Sequence, residues 1–195
     1  MNSVNGYLIW DLNEAIVIDP GSKKEVFEIK NKIEEFDLNL KYIINTHSHF
    51  DHIGGNEFLK NNFNVKLGIR SKEAENLSDP EKNLSKYMGI EIISPSADFF
   101  LESKDNLIIG DSKFDIIYCP GHSPGSISLY NEDDGLLFSG DTIFKHGVGR
   151  TDLPGGNKDK LNSSINNLIE LSDDTKVYPG HGPETTIKEF KEYYF

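Results

Sequence analysis

The chain has one cysteine, Cys119, in 195 residues. That excludes an internal disulfide and fits a reducing compartment. Basic residues are also scarce: 20 lysines and arginines face 32 acidic residues, for a net charge of −12. A field of that sign disfavours non-specific binding to nucleic acid or anionic membrane, so neither is expected as a partner. Long apolar runs are missing. Tyr7 to Trp10 is apolar, but Asp11 and Glu14 interrupt it at once and no basic segment precedes it. Neither a signal peptide nor a membrane span is expected, and the cytoplasm is the default location. No linker-like stretch divides the chain, and its length is enough for one domain over residues 1–195 with a substantial core.

Histidine, in contrast, is concentrated. Three of the 6 histidines fall in Thr46-His47-Ser48-His49-Phe50-Asp51-His52, directly after the apolar run Tyr42-Ile43-Ile44. Imidazole and carboxylate are the ligands that zinc and similar ions prefer. In an extended segment His47, His49 and Asp51 would share one side, and His52 would face another way. One loop of this kind can serve two metal ions. His122 lies in Pro120-Gly121-His122-Ser123-Pro124-Gly125-Ser126 and His181 in Pro179-Gly180-His181-Gly182-Pro183, both turn-rich segments able to present a side chain. Asp141 follows Ser139-Gly140 at the end of the apolar run Leu136-Leu137-Phe138.

The remaining pattern alternates strands and helices. Tyr7–Trp10 and Ala15–Ile18 form a hairpin, and Asp19-Pro20-Gly21-Ser22 makes a turn that opens a helix over 23–36. A strand at Tyr42–Asn45 runs into the histidine loop. A helix over Ile53–Phe63 opens at Gly54-Gly55, a close-packing site, and a strand follows at Val65–Ile69. Residues 71–96 are polar and read as short helices or a surface excursion. Strands are expected at Leu107–Ile109, Phe114–Tyr118, Ile127–Tyr130, Leu136–Phe138 and Val177–Tyr178, with helices over Asp159–Leu171 and Thr185–Tyr193. Two halves of strands followed by helix indicate two packed sheets with helices outside, an α/β (α+β) class.

Asn5-Gly6-Tyr7-Leu8-Ile9, the Thr46–His52 loop, Gly121–Ser126, Ser139-Gly140-Asp141-Thr142 and Pro179–Pro183 resemble, in order, the motifs of the metallo-β-lactamase superfamily. The resemblance covers essentially the whole chain. It implies an αββα sandwich, the metallo-β-lactamase fold, with two divalent metal ions, zinc first and iron or manganese as alternatives. It further implies that His47, His49 and His122 hold one ion, that Asp51, His52 and His181 hold the other, and that Asp141 bridges them.

Within the superfamily the chain is most similar to small bacterial hydrolases of glyoxalase II type, whose loop after the bridging aspartate resembles Gly147–Gly156. Class B1 and B2 β-lactamases usually carry cysteine where this chain has Asp141, and flavodiiron proteins carry glutamate at the position of His49. The implied activity is hydrolysis of thioesters such as S-lactoylglutathione by hydroxide generated at the two ions. A thiolate leaves readily because its conjugate acid has a pKa of about 8.5, so no separate proton donor is required. Asp51 is expected to orient the hydroxide as well as to bind metal. Full-length glyoxalase II has a C-terminal helical domain for glutathione, whereas only 14 residues follow His181 here.

The alternatives are an iron-dependent glutathione persulfide dioxygenase, which resembles the chain through the same motifs, and another dinuclear-metal hydrolase such as a lactonase. Arg150 has two readings: it grips a substrate carboxylate, or it pairs with Asp152 or loop carbonyls. Cys119 is expected to be a small buried residue, Lys145 and His146 solvated, and Tyr193-Tyr194-Phe195 docked on the body. The partner is a small-molecule thioester, and the chain is expected as a monomer or small homo-oligomer.

Overall fold

The computed structural model describes residues 4–195. Contacts group them into two compact units. The first reaches Leu101 and takes in Ile108–Ser112; the second comprises Glu102–Leu107 and Lys113–Phe195.

In the first unit β1 (Tyr7–Asp11) and β2 (Glu14–Ile18) pair as an antiparallel hairpin, from Tyr7 opposite Ile18 to Asp11 opposite Glu14. Helix α1 (Lys23–Glu35) starts with a capping box between Ser22 and Glu25, whose carboxylate accepts the Ser22 N–H at 3.0 Å; Ser22 Oγ also accepts the Lys24 N–H at 3.3 Å. Val26, Ile29 and Ile33 recur at helical spacing and join Ala15, Val17 and Ile43 in one buried cluster. The chain then returns as β3 (Asn39–Ile44), parallel to β2. Helices α2 (Phe50–Ile53) and α3 (Asn56–Asn62) lead to β4 (Lys66–Ile69), parallel to β3. Two 3-10 helices, Ser71–Ser78 and Lys86–Met88, precede β5 (Phe99–Phe100), and the sheet order is β1-β2-β3-β4-β5.

The expected helix over 53–63 is in fact two helices broken at Gly54-Gly55. A Cβ at Gly54 would lie 2.9 Å from the Gly21 carbonyl oxygen, and one at Gly55 2.9 Å from that of Pro20. The first piece begins earlier than expected, at Phe50. Asp51 and His52 therefore sit on a helical turn, and the extended alternation from His47 through Asp51 ends at His49.

The second unit takes in the start of β6 (Asn106–Ile109), nearly all of β7 (Ser112–Tyr118), then β8 (Ile127–Asn131) and β9 (Leu136–Gly140). A two-residue hairpin, β10 (Ile143–Phe144) with β11 (Gly147–Val148), follows. Helix α4 (Lys158–Leu168), β12 (Lys176–Pro179), β13 (Thr185–Thr186) and α5 (Ile187–Tyr194) complete the chain. The sheet order is β13-β12-β9-β8-β7-β6. β8 is antiparallel to both β7 and β9, and β12 is parallel to β9, so β7, β9 and β12 run the same way.

Side chains of α4 (Leu161, Ile165, Leu168) and α5 (Ile187, Phe190) form the core of this unit with Leu137 and Val177. Asn157 and Thr186 cap the two helices by accepting the Lys160 and Glu189 N–H groups at 2.9 and 3.1 Å. At the C-terminus Tyr194 stacks on Phe190 and Tyr193 lies against His146, while Phe195 stays exposed. Phe190 is fully buried and is the main apolar anchor of α5. Phe190→Ala should therefore cost about 3–5 kcal/mol of stability. Urea unfolding measures this, and a loss below 1 kcal/mol would contradict the anchoring role.

Candidate metal centre

Parallel strands deliver their carboxyl ends to one edge of a sheet, where side chains from successive loops can meet. In the first unit β2 ends at Ile18 beside Ile44 of β3, so Asp19 and the segment Asn45–His52 leave side by side. Asp19 has φ 48°, a left-handed conformation that aspartate tolerates better than most residues, and its N–H donates to the Ile44 carbonyl at 2.9 Å. Its buried carboxylate accepts the Thr46 N–H at 2.8 Å and the Thr46 hydroxyl at 2.6 Å. His52 Nδ1 lies 2.9 Å from the same carboxylate. A carboxylate only accepts, so Nδ1 carries the proton and Nε2 keeps its lone pair for a metal.

Thr46 passes the same instruction to its neighbour. Its proton goes to Asp19, so its oxygen, 3.1 Å from His47 Nδ1, accepts there. The His47 lone pair is thereby placed on Nε2, which faces His49 Nδ1 at 3.0 Å. Two nitrogens bound at about 2.05 Å to one tetrahedral ion stand ~3.3 Å apart. The pair is thus close to the spacing of two ligands on one cation. His47, His49 and His52 are all buried, and Asp51 is half-buried on α2. Asn45 holds the start of the loop through Asn56 Nδ2, which donates to its side-chain oxygen at 2.7 Å.

The second unit presents the other expected ligands by the same logic. Because β9 and β12 are parallel and pair at Pro179 with Gly140, Asp141 and His181 emerge from adjacent strand ends. The Gly180 N–H donates to the Gly140 carbonyl at 2.8 Å and holds the two turns together. His122 follows β7, which points the same way. His122 Nε2 and His181 Nε2 each lie 3.5 Å from Asp141 Oδ2. Two imidazole nitrogens thus converge on one carboxylate oxygen at a separation too long for a strong hydrogen bond. His122 Nδ1 donates to the Arg150 carbonyl at 2.9 Å, which leaves Nε2 as the donor atom toward a metal.

Among the described residues, the groups of side chains able to hold a metal are drawn from His47, His49, Asp51, His52, His122, Asp141 and His181 alone. In each unit the donor chemistry suits divalent metal ions: imidazoles with assigned tautomers, plus carboxylates.

Other expectations resolve individually. The Cys119 thiol is buried, and burial pushes it up to about 11, so it is no nucleophile at neutral pH. The Arg150 guanidinium is exposed and meets both oxygens of Asp152 at 2.7 Å, holding that carboxyl down at about 2. Lys145 lies 3.5 Å from Glu189, and Phe144 sets its ring edge-on to His181 at 6.3 Å. The residues that sequence reading missed are Asp19, taken there for part of a turn, and the Arg150 carbonyl.

The family model of the metallo-beta-lactamase superfamily matches residues 2–181, which includes all seven of these positions. The chain belongs to the metallo-β-lactamase superfamily.

The hydroxyacylglutathione hydrolase GloC of Haemophilus influenzae is 36% identical over 195 residues, covering 96% of this chain and 89% of that protein. The crystal structure of BLEG-1, a B3 metallo-β-lactamase, is 36% identical with a TM-score of 0.89, over 98% of this chain and 95% of the other. That of TTHA1623 in a di-iron-bound form is 31% identical with a TM-score of 0.84, over 95% and 91%. These likenesses establish the expected αββα metallo-β-lactamase fold, with mixed sheets flanked by helices.

In this superfamily member Gly149, the residue after β11, packs tightly against Asp141 and His122. A Cβ at Gly149 would lie 2.0 Å from the Asp141 carbonyl oxygen and 3.0 Å from His122 Cβ. Gly149→Ala must therefore shift the Asp141 backbone and crowd His122, with about 1–3 kcal/mol lost to overpacking. Thermal unfolding together with metal content checks this; a variant with wild-type values for both would show that the contact is dispensable.

Proposed function

We propose that this chain is a metal-dependent hydrolase whose substrates are thioesters of the S-lactoylglutathione class. The observation that carries this reading is the complete set of seven histidine and aspartate ligands, in which His47, His52 and His122 each have the nitrogen away from the metal fixed by a partner. His47, His49 and His122 would hold one ion, Asp51, His52 and His181 the other, and Asp141 would bridge them. Bound divalent ions supply Lewis acidity that makes hydroxide available near neutral pH and polarises a carbonyl. Zinc is the first choice for such donors, and the di-iron form of a 31%-identical structure keeps iron in view.

The residues of the chain contribute orientation. Asp19 and Thr46 keep imidazole lone pairs aimed where a cation is held, and Asp51 can accept a proton from the attacking water. A serine or cysteine nucleophile is not needed, in keeping with the buried Cys119. A thiolate departs without a proton, which suits a site built from ligands alone. The 36% identity to a hydroxyacylglutathione hydrolase across nearly the full length of both chains supports the thioester class. Among the described residues no helix is long and apolar enough to cross a membrane. A small-molecule substrate met in the cytoplasm, by a monomer or small homo-oligomer, is the setting we propose.

A second reading keeps the fold and donor set and changes the reaction. The 36%-identical B3 metallo-β-lactamase structure keeps a β-lactam or lactone substrate as an alternative, and the di-iron form of the 31%-identical structure keeps an iron-dependent reaction, such as persulfide dioxygenation, beside it. Metal content measured beside a three-substrate panel separates the readings. About two zinc-like ions per chain with turnover of S-lactoylglutathione is expected. Turnover confined to a lactone or β-lactam, or oxygen uptake with glutathione persulfide and iron, would replace that conclusion. Chelation should abolish activity. Asp141→Ala should lose metal and turnover together, and full activity in that metal-depleted variant would remove the mechanism.

Arg150 is placed here as a contact to a substrate carboxylate, made by exchanging its exposed pairing with Asp152. A contact made equally in ground and transition states lowers KM alone, so Arg150→Ala should raise KM for a glutathione thioester by roughly tenfold with kcat retained. An unchanged KM would assign Arg150 to the surface pair alone.

A further inference from the structure

Glu73 is a fully buried carboxylate outside the ligand set. It sits on the 3-10 helix Ser71–Ser78, in the polar segment that follows β4. Its Oε2 accepts the Ser48 N–H at 3.2 Å, the Ser48 hydroxyl, and the Asn76 side-chain amide at 3.4 Å. Asn76 Nδ2 also donates to the Ser48 hydroxyl at 3.0 Å. Two residues along the loop, the Phe50 N–H donates to the carbonyl of buried Asn83, at 3.0 Å. Asn83 is held in turn by the Ile92 carbonyl at 2.8 Å and the Ser85 N–H at 3.0 Å.

The backbone is therefore gripped on both sides of His49, and Ser48 is the residue between His47 and His49. A buried carboxylate is costly unless hydrogen bonds compensate it. Here those bonds converge on the one residue whose backbone torsions set the relative aim of two imidazoles. We propose that Glu73 is a positioning residue for the metal centre: by fixing Ser48 it presets His47 and His49 and so sets metal affinity and ligand geometry. The proposal rests on the reading that these two histidines hold a metal ion. Asp19 fixes which nitrogen of the His47 and His52 imidazoles carries the proton, whereas Glu73 fixes where the backbone carries the His47 and His49 rings.

The experiment compares wild type, Glu73→Ala, Glu73→Gln and Ser48→Ala. Each is stripped of metal, titrated with zinc against a chromophoric chelator, loaded with cobalt for its visible spectrum, and unfolded in urea as the apoprotein. Loss of a group that orients metal ligands costs about 10–100-fold in metal affinity, and that fall is expected for Glu73→Ala with shifted cobalt bands. Glu73→Gln keeps an oxygen acceptor for Ser48 and should stay close to wild type. Ser48→Ala, which removes the hydroxyl's bonds to Glu73 and Asn76 but keeps the backbone bond to Glu73, should show a smaller fall, and it carries the test if Glu73→Ala does not fold. Wild-type zinc affinity and cobalt bands in folded Glu73→Ala, or in Ser48→Ala in its place, would overturn the proposal. So would a glutamine variant as weak as the alanine one. Wild-type protein that binds no metal would overturn the reading of the centre itself and this proposal with it.

Discussion

An imidazole can serve a metal only through a nitrogen that carries no proton, and the rest of this structure depends on meeting that constraint inside a buried loop. The solution is a short relay. The Asp19 carboxylate accepts hydrogen bonds from the Thr46 hydroxyl and His52 Nδ1, and the Thr46 oxygen in turn accepts one from His47 Nδ1. One acidic side chain thereby sets two tautomers, which no metal need be present to enforce. The left-handed backbone at Asp19 is the conformation that brings its carboxylate back over the end of β3. In the second unit a backbone carbonyl, that of Arg150, does for His122 what a side chain does for His52.

Strand direction explains how, within each unit, side chains far apart in sequence come to share an edge. β2 and β3 are parallel, as are β9 and β12, and β7 points with β9 because β8 reverses twice between them. Asp19, the histidine loop, His122, Asp141 and His181 each lie just beyond the carboxyl end of one of these strands. Apolar runs within the strands and helices fix the direction; the polar residues just past each run are then free to vary in chemistry. This is why the fold is shared with relatives whose names refer to different reactions, and why the ligands alone do not choose the substrate.

Much of this was legible in the residues. The hairpin, α1, β3, β4 and the later strands follow from alternating and helical apolar spacing, and the candidate ligands stood out as histidines in turns after apolar runs. What was not legible has physical causes. Helix α2 spans four residues, too few for any periodicity, so Asp51 and His52 were expected on extended backbone. Strands β5, β10, β11 and β13 have two residues each and exist only because a neighbour pairs with them. Asp19 was hidden in an Asp-Pro-Gly sequence that reads as a turn; the usable signal was an acidic residue just past a fully apolar strand. Glu73 gave no signal at all, because a glutamate in a polar segment is ordinarily solvated and only tertiary contact reveals it as buried.

Burial of Cys119 reaches beyond the site. The thiol packs in the core of the second unit against the Ser128 hydroxyl and is held protonated. Mixed disulfides and alkylation both require a thiolate at the surface. The native protein is in effect blank toward thiol reagents, so a single cysteine introduced on the exterior would be its sole labelling handle, ready for a fluorophore or spin label with no background to subtract.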